Sequence, residues 1–98
     1  MPPQSKAIVI NEKDNVATAL VSLKAGSTVS LEVLGRMARV KLRTAIPMGH
    51  KFALCEIPQG ADVFKYGEPI GRTTATILPG EHVHVHNLVS HRGRKEGA

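Results

Sequence analysis

Residues 46–60 read IPMGHKFALCEIPQG, and this stretch contains the same turn motif twice, eleven positions apart. In each copy an isoleucine and a proline are followed, two residues after the proline, by glycine. Proline presets the φ angle of a turn, and glycine adopts the positive φ that most residues avoid. A related motif, Leu78-Pro79-Gly80, follows later. Turns at this spacing, with short apolar segments between them, predict a mostly β fold with many hairpins.

The segments on either side of these turns predict the individual elements. Strands are expected at residues 7–10, 28–33, 37–45, 51–56, 63–66, 72–77 and 83–88. One segment has a different pattern, because Asp14 is a good N-cap and the apolar residues Val16, Leu20 and Leu23 recur at helical spacing. We therefore expect one short helix near residues 15–23, within a mostly β (α+β) domain.

Length and composition are those of one small domain. The chain has 98 residues, of which 42% are hydrophobic, and we expect a single domain over 1–98 with flexible ends at 1–6 and 90–98. The single cysteine, Cys55, excludes an internal disulfide and fits a reducing cytoplasm, where we expect it to be buried or semi-buried. No apolar run approaches the ~20 residues of a membrane span, and the N terminus lacks signal-peptide regions. These features predict a cytoplasmic protein with no membrane partner.

The formal net charge of +5 predicts an anionic partner. The basic residues of 36–43 do not form a block, because Arg39, Lys41 and Arg43 alternate with Ala38, Val40 and Leu42, as in a strand that has one solvated face. No aromatic residues are interleaved with them to stack on bases. The pattern therefore argues against nucleic acid, and small carboxylates are the other class of anion. Nucleic-acid binding stays as an alternative hypothesis, which predicts salt-sensitive affinity for any polyanion.

Residues 80–87 read GEHVHVHN and place three histidines in alternation with valines. On a strand this pattern directs Val83 and Val85 into a core and the histidines to the opposite face. Neighbouring imidazoles could then share a metal ion, but a regular strand holds the outer two about 13 Å apart, so all three need a bend to converge. The candidate metal ligands are His82, His84 and His86, with His50 as the best candidate from elsewhere. A solvated strand face is the alternative interpretation.

Two further polar segments predict a pocket for a small anion. The turn at 49–51 pairs a histidine with a lysine, and the loop at 65–71 combines a cation, a phenol and a carboxylate around two glycines. An arginine that follows this loop could form two hydrogen bonds with a carboxylate. Ordinary turn chemistry is the alternative for both segments. The candidate substrate-binding residues are His50, Lys51, Lys65, Tyr66, Arg72 and Asn87.

Four motifs, in order, resemble those of a known family. They are DNVA at 14–17, IPMGHK at 46–51, KYGEPIG at 65–71 and GEHVHVHN at 80–87. Together they resemble the N-terminal module of the altronate and galactarate dehydratase family, which belongs to the SAF group of β-clip folds. The resemblance covers about residues 7–89.

The resemblance implies a function in sugar-acid chemistry. The family removes a proton next to a carboxylate and expels the β-hydroxyl group, with help from a divalent metal such as iron. A related enzyme, sulfolactate sulfo-lyase, expels sulfite and has a separate small subunit of this type. The resemblance thus implies that this chain is part of a carbon–oxygen hydro-lyase and is inactive alone, with a small hydroxy acid as substrate and a larger catalytic chain as partner.

Two forms of the chain fit that role. It is either a free-standing small subunit or an N-terminal fragment, and the charged C-terminal tail favours the subunit. A homo-oligomer is compatible with both. The alternative function is a non-catalytic module that binds a small anion or metal and docks to, or regulates, a larger enzyme.

Overall fold

The computed structural model describes residues 6–33 and 35–90, which form nine strands and no helix. The strands are β1 (Ala7–Ile8), β2 (Val16–Ala19), β3 (Thr28–Val33), β4 (Arg36–Lys41), β5 (Lys51–Ala53), β6 (Asp62–Lys65), β7 (Glu68–Thr73), β8 (His82–Val83) and β9 (Leu88–Ser90). They build a four-stranded sheet in the order β1-β2-β5-β8, a three-stranded sheet β6-β7-β9, and the hairpin β3-β4. The prediction of a mostly β domain is confirmed.

A bridge followed by a tight turn occurs four times and organises the chain. Two antiparallel bridges, Leu23 with Ile46 and Ile57 with Ile77, join the four copies in pairs. A glycine follows each bridge residue by three positions. The φ angles of these glycines lie between +83° and +85°, a region that L-residues with a Cβ atom rarely adopt: Gly26, Gly49, Gly60 and Gly80.

The two pairs of turns use the same hydrogen bonds. Within each pair of turns, the amide of each turn glycine donates to a backbone carbonyl of the other turn's segment. That carbonyl lies four residues before the bridge residue of the other turn. The bonds run from Gly26 to Leu42, from Gly49 to Ala19, from Gly60 to Thr73 and from Gly80 to Ala53. The chain is therefore built from two similar halves, residues 16–53 and 51–83, which share β5.

The apolar core has two clusters, and β5 contributes to both. Phe52 is fully buried in the first cluster, with Leu31, Leu42 and Ile46. Ala53, the next residue, is fully buried in the second, which also contains Ile57, Val63, Ile77 and Val83. Since neighbouring side chains of a strand point to opposite faces, β5 lies between the clusters. The element that leads into the polar site is thus anchored on both sides.

The prediction of a helix near residues 15–23 is wrong. Residues 16–19 form β2, which pairs with β1 on one side and β5 on the other. Val16, Ala17 and Ala19 are each 1% exposed, so both faces of the segment are buried, whereas Leu20 is 45% exposed. Ladder hydrogen bonds and burial on two faces outweigh a weak helical preference.

Asp14 does not cap a helix. Its carboxylate accepts hydrogen bonds from the amide of Gly67, at 2.8 Å, and from that of Asn11, at 3.2 Å. These contacts tie the segment before β2 to the turn between β6 and β7. The carboxylate of Asp14 therefore accepts backbone N–H groups, as an N-cap does, but one of them comes from a segment far away in sequence.

Strand positions were predicted with mixed success. The strand at 28–33 is confirmed, and those at 37–45, 51–56 and 63–66 overlap β4, β5 and β6. The strand predicted at 72–77 overlaps only the end of β7. Most of β7 lies in the 65–71 segment, which the sequence predicts to be a loop because it contains a proline and glycines. The strand predicted at 83–88 is split into β8 and β9 by a turn.

Cys55 is exposed, so the expectation that it is buried or semi-buried is wrong. It lies in a bend just after β5, where the chain leaves the sheet and its side chain has no core to enter.

The flexibility expected for residues 1–6 and 90–98 falls, apart from Lys6 and Ser90, outside the described residues. In the part of the chain that the structure describes, no helix has the length and apolar character needed to cross a membrane.

Candidate functional site

The pairing of β5 with β8 brings two histidine segments together. The strands are antiparallel, with Lys51 opposite Val83 and Phe52 opposite His82. Extending that register by one residue sets His50, just before β5, beside His84, just after β8. β5 follows the second turn of the first half, and β8 follows the second turn of the second half. The site therefore lies where the two halves end.

Three imidazoles meet at this point. The rings of His50 and His84 stack with centroids 4.1 Å apart, and Nδ1 of His50 lies 2.8 Å from Nε2 of His82. The rings of His82 and His84 are nearly parallel, at 9°, with centroids 5.4 Å apart. One ring nitrogen from each of the three lies within 4.8 Å of the others. We call these three residues the histidine cluster.

A turn stabilised by Asn87 shapes the segment that carries the histidines. The amide of His84 donates to Oδ1 of Asn87 at 3.0 Å, and Nδ2 of Asn87 donates to the carbonyl of His82 at 2.8 Å. The prediction of one continuous histidine strand is therefore wrong, since β8 ends at Val83. Val83 is fully buried, as predicted, but Val85 is 81% exposed at the turn and does not enter the core.

The turn also changes which histidines converge. The ring of His86 comes within 5.2 Å of that of His82, centroid to centroid, although a regular strand would separate the two residues by about 13 Å. His86 is exposed and lies outside the set of three close nitrogens. His50, which the sequence indicated as the outside candidate, occupies the third position.

Burial and like charges both act on the cluster. Burial lowers the pKa of His82, and so, in decreasing order, do the charges of His50, His86, His84 and Lys51. The pKa of His84 is lowered by burial and then by His50, Lys51 and His86. Lowered pKa values favour the neutral imidazole, which is the form that binds metal ions.

The donor set of the cluster fits a divalent transition-metal ion. Metal–nitrogen bonds of about 2.1 Å place adjacent ligand nitrogens roughly 3 Å apart. The cluster brings its three nitrogens within 4.8 Å of one another, so the rings would move closer together to share an ion. The direct contact between His50 and His82 would open as both nitrogens turn to the ion. Imidazole suits iron, zinc, copper and nickel, and three protein ligands leave positions free for water or a substrate.

A groove with a volume of about 570 Å³ includes Lys51, the residue that follows His50. It is lined by Lys51, Lys65, Tyr66, Glu68, Pro69, Ile70 and Ser90. Burial lowers the pKa of Lys51, and the charge of Lys65 lowers it further. Lys51 also acts on the pKa of His82 and His84. It therefore belongs to both the groove and the surroundings of the cluster, so we call this groove the lysine groove.

Tyr66 is held in a strained backbone conformation at the rim of the lysine groove. It has a φ of 58°, the one positive φ outside glycine among the described residues, and Gly67 follows at 78°. The pair forms the two-residue loop between Lys65 and Glu68, where both positions need positive φ. The ring is 56% exposed, and Nζ of Lys65 lies 4.9 Å from its centroid. Strain of this kind is concentrated at functional sites.

The remaining predicted site residues have other positions. Arg72 lies on β7, with Nε 3.9 Å from Oδ1 of Asp62, and is not among the residues that line the lysine groove. Both polar groups of the Asn87 side chain bond within the histidine turn. Ser90 was missed, because only the pairing of β9 with β7 brings it to the groove.

Comparisons with known proteins agree with this architecture. Residues 5–91 match the family described as the altronate/galactarate dehydratase SAF domain. The chain is 49% identical to altronate dehydratase of Escherichia coli over 80 residues, which are 82% of this chain but 15% of that protein. It is 34% identical to the (2R)-sulfolactate sulfo-lyase subunit alpha of Chromohalobacter salexigens over 88 residues, 86% of this chain and 94% of that subunit. The chain therefore belongs to the altronate/galactarate dehydratase SAF-domain family.

Proposed function

We propose that this chain is the small subunit, or the N-terminal module, of a dehydratase-type lyase that acts on sugar acids or other hydroxy acids. In this role it completes a metal-assisted active site together with a larger catalytic chain. The observation that carries the proposal is the histidine cluster, with three ring nitrogens within 4.8 Å of one another. A groove lined by two lysines includes Lys51, which directly follows His50.

The relatives support both physical forms of this role. The chain spans 15% of the length of one altronate dehydratase, as a module of a large protein would, and 94% of a sulfo-lyase subunit alpha. The name of that subunit indicates a multi-subunit enzyme. The same fold thus occurs in both arrangements among proteins similar to this chain.

The lysine groove provides the means to bind a hydroxy acid. The ammonium groups of Lys51 and Lys65 attract a carboxylate and can each donate hydrogen bonds to it. The phenol of Tyr66, at the rim, can hydrogen-bond to a substrate hydroxyl group. Because Lys51 contributes to both sites, a carboxylate bound there would place the adjacent carbons next to the histidine cluster.

The histidine cluster completes the chemistry required for an elimination. When bound, a divalent ion such as iron would supply a Lewis acid that polarises a substrate oxygen. His50, His82 and His84 present the ring nitrogens needed to hold it. Lys51, with its lowered pKa, exchanges a proton more readily than an ordinary lysine does.

Reconstitution with a co-expressed larger chain tests the proposal. We expect elimination from altronate, galactarate or sulfolactate, followed as keto-acid formation or sulfite release, only when both chains and the metal are present. His84→Ala should lower kcat by about 100-fold or more, since it removes a proposed ligand. Lys65→Ala should mainly raise KM, with Lys24→Ala, at an exposed lysine in the first turn, as its control. Unchanged turnover in His50→Ala, His82→Ala, His84→Ala and His86→Ala would refute the proposal.

A second candidate is a non-catalytic module that captures a metal or a small anion. It is favoured by the fact that all three close nitrogens come from this one chain, so metal capture needs no second polypeptide. The two functions differ in the effect of His84→Ala. A module loses only affinity, measured by calorimetry on the isolated chain, whereas a subunit also loses turnover in the assembled complex.

A further inference from the structure

The hairpin formed by β3 and β4 has a free edge. β4 pairs with β3 along its whole length, from Arg36 opposite Val33 to Lys41 opposite Thr28. Within residues 6–33 and 35–90, no strand pairs with the other edge of β4. This edge offers amides and carbonyls to an incoming strand along residues 36–40, about 16 Å, and beyond them the amide of Arg43 already donates to the carbonyl of Gly80.

Two adjoining grooves follow this edge. Their volumes are about 640 and 560 Å³, and both are lined by Arg39, Val40 and Leu54. The first also includes Val33 and Ala38 near the hairpin turn, and the second extends past Leu42 to Pro79. We call the combined feature the β4 trough. Apolar side chains contribute along its whole length. Val33, Ala38, Val40, Leu42 and Leu54 are buried or half-buried, whereas Met37 is 70% exposed and Pro79 is exposed.

The charged side chains of the β4 trough all have the same sign. They are Arg36, Arg39, Lys41 and Arg43, and each is exposed. No carboxylate is among the residues that line the two grooves. The surface therefore complements an occupant that combines alternating apolar side chains with negative charge.

Charge argues against occupants from this chain itself. A second copy pairing through the same edge would place four cations against four cations, which repel at short range. Residues 91–98, HRGRKEGA, are predominantly basic, and residues 1–5, MPPQS, carry no carboxylate and contain two prolines that cannot donate ladder bonds. Nucleic acid is disfavoured because no aromatic ring lines the trough.

We propose that the β4 trough binds an extended acidic segment of the larger catalytic chain, which adds to β4 as a further strand. Main-chain hydrogen bonds along the edge provide affinity in this mode of recognition, and the side chains provide specificity. Glutamate or aspartate at alternate positions pairs with Arg39, Lys41 and Arg43, and the intervening apolar side chains enter the trough. The identity of the partner rests on the proposed function, but the binding mode does not.

The position of the trough connects this docking surface to the histidine site. Pro79 lines one end of the trough and belongs to the turn that leads directly into β8. The carbonyl of Lys41, at the end of β4, lies directly against Gly80 in the same turn. A strand bound to β4 would thus bring the larger chain to the base of the segment that carries His82 and His84.

A peptide titration tests the binding mode without the larger chain. The probe is the octapeptide TEVEVEVT with blocked ends, added to the isotope-labelled chain and followed by amide chemical shifts. We expect saturable shifts centred on residues 36–41. The charge-reversing pair Arg39→Glu with Lys41→Glu should weaken binding about tenfold or more, as expected from two lost ion-paired hydrogen bonds. The control pair Lys13→Glu with Lys24→Glu, also exposed, changes the net charge equally and should leave the affinity nearly unchanged.

Several outcomes would overturn the proposal. Charge specificity would be absent if both charge-reversing pairs weakened peptide binding equally. Strand addition would be excluded if a peptide with proline in place of its central valine bound equally well. The occupant or the location would be wrong if a single-stranded oligonucleotide bound more tightly at the same residues, or if the shifts were confined to the histidine turn. The assay contains no metal and measures no turnover. Its failure would leave the histidine site intact, while a fully active His84→Ala complex would refute the proposed function and leave the trough untouched.

Discussion

Nδ1 of His50 and Nε2 of His82 lie 2.8 Å apart, although 32 positions separate the two residues in the chain. One nitrogen must donate a proton and the other must accept it, so at least one of the two rings is neutral while the contact exists. Acid opposes this contact, because two protonated rings have no acceptor between them and repel each other.

We therefore expect the metal-free chain to lose stability as the pH falls from 8 to 5. The pKa values of His82 and His84 in the folded chain lie below 6.5, so the unfolded chain binds more protons in this range. The histidine contribution is complete above pH 6.5 and is lost as the pH falls through the folded pKa values. Urea unfolding at constant ionic strength measures it.

The variant that carries both His82→Gln and His84→Gln is the control for this experiment. Its free energy of unfolding should vary less between pH 7 and 5 than that of the unmodified chain, since carboxylates then provide the remaining dependence. The same pH dependence in both proteins would contradict the prediction.

Removal of a cluster histidine should weaken metal binding in a graded way. His50→Ala deletes one of the three close nitrogens and should lower Co²⁺ or Zn²⁺ affinity by about tenfold or more. His86→Ala removes a ring outside that set and should have a smaller effect. Calorimetry at pH 7.5 gives the two affinities, and a larger loss in His86→Ala would show that the cluster is assigned to the wrong residues.

Asn87→Ala should loosen the histidine turn and reduce metal affinity without removing a ligand. The change deletes the bonds of the carboxamide to His84 and His82 and should cost about 1–3 kcal/mol of stability. Asn15→Ala is a matched control, because the Asn15 side chain makes a similar pair of bonds, with Asp62 and Phe64, away from the cluster. Both variants should lose stability, but Asn87→Ala should lose more metal affinity.

Gly80→Ala should destabilise the domain more than Gly60→Ala does. Both glycines have a positive φ, which costs an alanine about 1–2 kcal/mol. A Cβ atom on Gly60 meets open space, but one on Gly80 would overlap the carbonyl oxygen of Lys41. Chemical denaturation of the two variants separates backbone strain from overlap. Equal destabilisation would mean that the turn shifts freely away from β4.

Tyr66→Asn should stabilise the fold and weaken substrate binding. Asparagine tolerates positive φ and precedes glycine in the preferred two-residue hairpin loops, so we expect a gain of roughly 0.5–1 kcal/mol. The change also removes the exposed phenol at the rim of the lysine groove. Thermal unfolding and the KM of the assembled enzyme are the two measurements. A loss of stability together with an unchanged KM would assign Tyr66 a purely structural role.

The turns show what the sequence can reveal about this fold and what it cannot. Three of the four turns contain proline and were visible as motifs. The first, at residues 23–26, reads LKAG and lacks the proline, so its equivalence becomes apparent only from the bridge between Leu23 and Ile46. The false helix at 15–23 is partly a result of this, because the helical pattern includes Leu23, which is a bridge residue in the structure.

The site was predictable in composition but not in geometry. The alternation of histidine and valine indicated a shared polar face, and His50 was identified as the residue that could join it. The local pattern could not show that a side chain, Asn87, would outcompete the ladder bonds of a longer strand and turn the chain after Val83. Arg72 had suitable chemistry, but its position depends on sheet pairing that no local pattern encodes.

At the four turns, the backbone of one position has a structural role while the side chain at that position differs from turn to turn. The residue after each turn glycine accepts a ladder hydrogen bond through its backbone carbonyl, so the ladder does not fix the identity of its side chain, although Ser27 and Glu81 also form side-chain hydrogen bonds within their own turns. Four different side chains occupy these equivalent places: Ser27, His50, Ala61 and Glu81. Mutation can therefore exchange reactive groups there while the architecture persists, as would suit a half-domain that was duplicated, fused and then specialised at one of its corners.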